Sequence, residues 1–119
     1  MDTSVAEKKL EKITLNEKIL LEVLRHFNFL RKYHFIITQI SIYGRTHYIV
    51  YSSNRKQLYI EWDRGITIEL RKGNLFKNKS IDVSYIAKQY GILLDTGYVF
   101  AQIAKYADFI KKNASELLC

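Results

Sequence analysis

Apolar residues recur at intervals of three and four along the first part of the chain, the spacing of one face of an α-helix. This stripe consists of Leu20, Val23, Leu24, Phe27 and Leu30. It follows Thr14 and Glu17, whose spacing matches a capping box that begins a helix. We therefore predict a core-facing helix over residues 15–31. Residues 1–13, which precede it, are expected to form a short arm that is either helical or flexible.

The pattern then changes to short runs rich in β-branched and aromatic residues, separated by polar segments that carry Gly, Ser or Asn. These runs predict four strands, at residues 33–43, 46–53, 57–62 and 66–71. The connections between them are too short for crossover helices, so an antiparallel meander is expected. The first hairpin, near residues 44–46, allows two registers that the apolar pattern does not separate.

The connection between the third and fourth predicted strands favours one register. A two-residue turn would place Trp62 opposite Thr67, on the wrong face from Ile66 and its apolar neighbours. A three-residue loop at 63–65 keeps the apolar residues together and supplies Gly65 where a left-handed residue is needed. The predicted cross-strand pairs are Trp62 with Ile66, Ile60 with Ile68, and Leu58 with Leu70.

Helical signals return after the predicted strands. Ser80 is expected to cap a helix that ends at Gly91 and turns Val83, Ile86 and Tyr90 inward. A last helix, from about Thr96 to the chain end, is predicted by apolar residues at helical spacing: Val99, Ile103, Ala107, Ile110, Ala114 and Leu117.

The predicted fold class is therefore α+β: an N-terminal helix, a four-stranded antiparallel β-meander, and two C-terminal helices packed on one face of the sheet. Such packing would bury one face of the sheet and leave the other to solvent or a partner. The residues expected on the buried face are Leu58, Ile60, Trp62, Ile66, Ile68 and Leu70.

Length and cysteine content narrow the class of protein. The chain has 119 residues, a length typical of one domain, so a single domain over 1–119 is expected. Its one cysteine, Cys119, cannot form an internal bridge, which is typical of a reducing compartment. No segment approaches the roughly 20 apolar residues that span a bilayer. These features predict a cytoplasmic protein with no membrane contact.

The sequence contains no pattern typical of a catalytic or metal site. His26, His34 and His47 lack close pairing and cysteine companions, so no metal is predicted. Glu61 and Glu69 would be diagonal neighbours on the outer sheet face, where an open, solvated setting is typical of a polar outer surface rather than of a catalytic carboxylate pair. No phosphate-binding glycine motif or nucleophile elbow occurs. We therefore predict a protein that is not an enzyme and binds no cofactor.

Positive charge is concentrated in the region of the predicted strands. The net charge is +7, and residues 25–79 hold eleven Lys and Arg against three acids. A meander would bring eight basic residues to one end and form a rim, with Tyr33, Tyr51 and Tyr59 nearby. The residues of this basic rim are Arg31, Lys32, Arg55, Lys56, Arg71, Lys72, Lys77 and Lys79. The alternative is that loops simply collect solvated lysines, or that biased genomic base composition supplies them.

Several short motifs resemble those of a loose family of small bacterial proteins of unknown function. They are Phe-x-Phe-Leu at 27–30, an aromatic start to the first strand at 33–35, Val-Tyr-Ser-Ser at 50–53, Ile-x-x-Asp at 60–63, and a last helix at 104–118. Some proteins of this build resemble immunity or antitoxin partners. The resemblance implies such a role, but a basic chain does not suit inhibition of a nuclease toxin by charge mimicry.

Two functional hypotheses follow. The first is a non-enzymatic protein-binding module, immunity- or antitoxin-like, that uses the open sheet face or the basic rim to bind a protein with an acidic or mixed surface. The alternative is weak, sequence-nonspecific nucleic-acid binding through the same rim. A homodimer is a further expectation, because the first predicted strand is an edge that carries Ile36, Ile37, Ile40 and Ile42.

Overall fold

The computed structural model describes residues 14–73 and 78–119, and these form one antiparallel sheet with helices before and after it. The predicted arm at 1–13 and the rim residue Lys77 lie outside the described residues. In chain order the elements are α1 (Leu15–His26), a 3-10 helix (Asn28–Tyr33), β1 (Ile36–Ser41), β2 (His47–Ser53), β3 (Lys56–Trp62), β4 (Ile66–Gly73), β5 (Asn78–Asp82), α2 (Val83–Gln89), α3 (Val99–Lys112) and α4 (Ala114–Leu117).

The sheet is an antiparallel meander in which each strand pairs with the next one along the chain. The α+β class and the antiparallel sheet are confirmed, but the prediction of four strands is wrong. A fifth strand, β5, pairs with β4 and places Ile81 opposite Leu70. The sequence pattern missed β5 because Ile81 is the single apolar residue among its five, so no alternation is visible. Pairing with β4 organises this segment.

The predicted register between β3 and β4 is confirmed, but the prediction of a left-handed Gly65 is wrong, since among the described glycines the positive φ angles belong to Gly91 and Gly97. Trp62 lies opposite Ile66 across a loop in which the Asp63 N–H donates to the Gly65 carbonyl at 3.1 Å. The buried face of the two strands consists of Leu58, Ile60, Trp62, Ile66, Ile68 and Leu70, all at most 4% exposed. The alternating residues Gln57 and Thr67 are exposed, so one face of the sheet is covered and the other is open.

The chain between α1 and β1 differs from the prediction. The helix predicted at 15–31 is α-helical only to His26, and a 3-10 helix covers 28–33. The strand predicted at 33–43 begins at Ile36. His34 adopts a left-handed conformation with φ 65°, and the Phe35 N–H donates to the Leu30 carbonyl at 3.1 Å. Leu30 and Phe35 are fully buried, so the tight turn places two apolar side chains in the core that a straight helix would separate.

Helix α2 begins two residues later than predicted. Its N-cap is Asp82, whose carboxylate accepts from the Ser84 N–H at 2.9 Å, and Ser80 lies in β5 instead. Tyr90 was predicted to face inward, yet it is 56% exposed and its hydroxyl donates to Glu116 at 3.1 Å. Ser80 cannot cap the helix because its pairing with β4 keeps it in an extended strand. Asp82, the next residue along the chain with a suitable side-chain acceptor, therefore caps α2.

The last predicted helix is divided in two. Helix α3 begins at Val99 rather than near Thr96, and it ends at Lys112. Asn113 interrupts it, with its side-chain amide donating to the Phe109 carbonyl at 2.9 Å, and α4 follows. No helix within residues 14–73 and 78–119 has both the length and the apolar character required to cross a membrane.

Candidate functional site

The open face of the sheet carries an aromatic patch at its centre. Tyr48 on β2 and Tyr59 on β3 lie on this face because each precedes one of the directly paired residues Ile49 and Ile60 of the covered face, and successive side chains point to opposite faces. Their ring centroids are 5.2 Å apart, and the Arg71 guanidinium carbon lies 4.2 Å from the centroid of the Tyr59 ring. We refer to Tyr48, Tyr59 and Arg71 as the open-face patch.

Hydrogen bonds fix the guanidinium over the ring. Arg71 donates from Nε and Nη2 to Oε2 of Glu69, at 3.2 and 3.1 Å, and the Ser80 hydroxyl donates to the same oxygen at 3.1 Å. Burial, followed by the charge of Glu61, raises the pKa of Tyr59, while Arg71 opposes that rise. The Tyr59 phenol therefore remains a hydrogen-bond donor at neutral pH.

Neighbouring side chains give the open-face patch an apolar floor and a polar margin. Val50 lies directly opposite Tyr59 and is only 5% exposed, although it is on the face that the helices leave open. At the margin, Gln39 donates to the Tyr48 hydroxyl at 2.7 Å, and the hydroxyls of Thr38 and Ser52 are 2.8 Å apart. The patch is thus held in one arrangement by contacts within the sheet.

A row of lysines crosses one end of the sheet. In the strand register Lys56 on β3 lies opposite Lys72 on β4, which in turn lies opposite Lys79 on β5. By strand alternation these side chains leave the sheet on the helix-covered side, whereas Arg71 leaves on the open side. We refer to Lys56, Lys72 and Lys79 as the lysine row. Among the described residues, the salt bridges of the chain include none of the three.

The seven residues of the predicted basic rim that the structure describes divide into groups. Four of them line one open depression of about 570 Å³ over the end of the sheet: Arg55, Arg71, Lys72 and Lys79. Lys56 begins the lysine row, and Arg31 lines a separate groove between α1 and β1. Lys32 is exposed on the 3-10 helix. That these residues bind a partner stays a prediction.

The other residues considered in the sequence have ordinary surroundings. His26 lies 3.3 Å from a carboxylate oxygen of Glu22, and the ring of His47 stacks on Trp62 with centroids 6.4 Å apart. Within the described ranges no three His, Cys, Asp or Glu residues are grouped so that they would hold a metal ion. Glu69 is engaged by Arg71 and Ser80 rather than by a second carboxylate.

The β1 edge exposes apolar side chains, as the sequence suggested. Ile36, Ile37 and Ile40 are 67%, 41% and 46% exposed. Beside them, the groove between α1 and β1 has a volume of about 860 Å³, and its walls include Phe27 and Tyr51. Pairing of this edge with a second copy stays a prediction.

Sequence reasoning missed the open-face patch. The predicted register already placed Tyr59 on the open face, and strand alternation from Leu70 would have placed Arg71 there too. The signal was available for those two residues once the register was chosen. It was weaker for Tyr48, because β2 carries apolar or aromatic residues on both faces, and the pairing of β2 with β3 decides which face Tyr48 occupies.

Comparison with known proteins adds no relative, since no protein-family model, curated protein or solved structure matches the chain. Any functional argument therefore depends on this chain's own geometry.

Proposed function

We propose that this protein is a non-enzymatic protein-binding module whose contact surface is the open face of the sheet. The observation that carries the proposal is the open-face patch, in which two tyrosines and an arginine are packed together on a surface that the described helices do not cover. Tyrosine and arginine are among the residues most enriched at the energetic centres of protein interfaces. Neutralisation of a toxin, as the sequence resemblance implies, would be one use of such a module.

The fixed geometry of the patch favours binding. Arg71 is held by Glu69 and stacked on Tyr59, so a partner would not need to immobilise a free arginine side chain. Immobilising such a side chain costs about 0.5–1.5 kcal/mol on association. The apolar floor at Val50 supports the same conclusion, because desolvated centres with polar margins are typical of interface hot spots.

Charge on the open face favours protein over nucleic acid as its ligand. By strand alternation the described strands place Glu61, Glu69 and Asp82 on this face against one cation, Arg71, which Glu69 already neutralises. A phosphate backbone lying across this face would approach the carboxylate of Glu61 without a compensating cation. We therefore expect the partner's contact surface to be neutral or basic where it meets Glu61, with an apolar centre for the tyrosines.

The test is affinity capture from nuclease-treated lysate of the source cells with a set of matched variants. Tyr59→Ala removes the centre of the patch, while Tyr98→Ala removes a tyrosine that is 88% exposed outside the sheet. We expect one discrete protein with the wild type and Tyr98→Ala, and binding weaker by about 30-fold or more with Tyr59→Ala. Circular dichroism would confirm that both variants fold. A captured protein retained equally by Tyr59→Ala would contradict the proposal.

A further inference from the structure

The lysine row places three like charges next to one another. Directly opposite residues on neighbouring strands share a face of the sheet, and the strands are about 4.8 Å apart. Lys72 therefore has one ammonium-bearing neighbour on each side, Lys56 and Lys79. Lys72 and Lys79 are exposed and Lys56 is half-buried, so their amines can reach a common ligand from solvent.

This arrangement is unfavourable for the isolated protein. Like charges directly opposite each other in a sheet destabilise it, and no carboxylate among the described residues compensates the row. By contrast, Arg71 and Lys112 each have a partner, Glu69 and Asp108. An anion bound across the row would remove the repulsion, so the row has the electrostatics of an anion-binding site.

Neighbouring groups extend this positive surface. Arg55 lies in the turn before β3 and lines the same open depression as Lys72 and Lys79. Its carbonyl accepts from the Gly73 N–H at 3.0 Å, which ties the turn to the end of β4. Four cations from the turn and three strands are thereby held at one end of the sheet.

We propose that the lysine row and Arg55 bind the phosphate groups of nucleic acid without sequence preference. A row across three strands, open to solvent, suits an extended chain of phosphates better than a small ligand, which would need an enclosing cradle. Lysine amines act as mobile point charges rather than as bidentate forks, so they neutralise phosphates without reading bases. The same depression is also lined by Arg71 of the open-face patch. The phosphate contacts are assigned to the lysine row and Arg55, so this activity does not depend on the proposed protein partner.

Salt dependence supplies the first test. Binding of a labelled single-stranded oligonucleotide, measured by fluorescence anisotropy, should weaken with salt with a log–log slope of about −2 to −3, as expected for three to four neutralised phosphates. Lys72→Gln should make that slope shallower by about 0.7. The matched control is Lys111→Gln, which removes an equal charge from an exposed position on α3 and should leave the slope unchanged. Equal slopes for the two variants would overturn the proposal.

Thermal stability supplies a second test, in which the substitution that weakens nucleic-acid binding should stabilise the free protein. Without ligand at low salt, Lys72→Gln should raise the Tm by about 1–4 °C because it relieves repulsion on both sides. The oligonucleotide should raise the Tm of the wild type and have a smaller effect on the variant. Lys111→Gln should show neither difference. A Tm that Lys72→Gln does not raise would overturn the proposal.

Two further arms separate this activity from protein binding. Polyglutamate at equal charge concentration should displace the oligonucleotide poorly, and equal displacement would overturn the proposal in favour of an acidic protein ligand. Tyr59→Ala should bind the oligonucleotide as the wild type does, because Tyr59 does not line the depression that Arg55, Lys72 and Lys79 share. If the open-face patch bound no protein, oligonucleotide binding by the lysine row would be unaffected. The two proposals can therefore fail independently.

Discussion

At the scale of single residues, Gln102 joins the sheet to the helices. It is 6% exposed on α3, where its Oε1 accepts from the Ile66 N–H at 3.0 Å and its Nε2 donates to the Gly97 carbonyl at 2.8 Å. One side chain thus satisfies a backbone donor at the start of β4 and a backbone acceptor just before α3. A Cβ at Gly65 would lie 3.1 Å from the same Oε1, so the hairpin approaches the amide closely.

We expect Gln102→Leu to lower the free energy of unfolding by about 1–3 kcal/mol, because it leaves two backbone groups near the core without a partner. Urea denaturation followed by circular dichroism would measure the change. Gln89→Leu is the control, since Gln89 is exposed at the end of α2 and its replacement should change stability by less than about 0.5 kcal/mol. Equal effects of the two substitutions would show that the Gln102 hydrogen bonds contribute little.

Which residues are buried could be predicted only where a regular pattern carried the information. Alternation along β3 and β4 identified Leu58, Ile68 and the other four residues of the covered face. The burial of Gln102 could not be predicted in this way, because a polar residue in a helix is expected to be exposed. Its burial becomes clear only when its backbone partners outside the helix are known. Val50 was missed for a similar reason, because strand alternation places it on the open face and does not indicate that it is buried there.

At the scale of elements, Asp82 both ends β5 and begins α2. Its Oδ1 accepts from the Ser84 N–H at 2.9 Å and from the Ser84 hydroxyl at 2.8 Å. The sequence instead pointed to Ser80, whose hydroxyl donates to Glu69 on the exposed surface of the sheet. The two residues therefore offer a direct comparison between a helix cap and a surface hydrogen bond.

We expect Asp82→Ala to destabilise the protein by about 1 kcal/mol, through loss of the N-cap of α2. Ser80→Ala should cost less, because it removes one solvent-exposed hydrogen bond to a carboxylate that Arg71 still engages. Thermal denaturation of both variants alongside the wild type would compare them. If Ser80→Ala were the more destabilising substitution, the helix would depend on the serine after all.

Elements with their own periodicity were predictable, and those organised by a neighbour were not. Helix α1 has an apolar stripe and a capping threonine, and Thr14 does accept from the Glu17 N–H at 3.2 Å. Strand β5 has no such pattern and is extended because β4 pairs with it. The 3-10 helix before β1 was also missed, because its turn depends on burying Leu30 and Phe35 in a core that the local sequence does not display.

At the scale of the whole molecule, the charge is divided between surfaces. The sequence placed excess positive charge in the sheet region, and the register brings Lys56, Lys72 and Lys79 into one row. Strand alternation then separates this row from Arg71, which joins the tyrosines on the open face. The sequence predicted a single basic rim because the strand order of a meander was clear. The two proposed binding surfaces required the cross-strand contacts.

Two buried tyrosine side chains make the stability of the fold depend on pH. Burial raises the pKa of Tyr51 on β2 to about 12, although Arg31 opposes the rise. Burial likewise raises the pKa of Tyr106 on α3 to about 12, against a hydrogen bond with Ser84 that lowers it. In the unfolded chain both phenols should titrate near the ordinary value of about 10.

Stability should therefore fall as the pH rises above about 10. Below that pH both phenols keep their protons in the folded and unfolded states, so their contribution is fully present. Between about pH 10 and pH 12 the unfolded chain loses these protons first, which lowers the free energy of unfolding by up to about 1.4 kcal/mol per pH unit for each phenol.

We expect Tyr51→Phe and Tyr106→Phe each to flatten this slope in urea denaturation measured across that range. Tyr43→Phe is the control because Tyr43 is 86% exposed, and it should leave the slope unchanged. If the buried-site variants kept the full wild-type slope, the loss of stability at high pH would have to arise from other groups, such as the lysines.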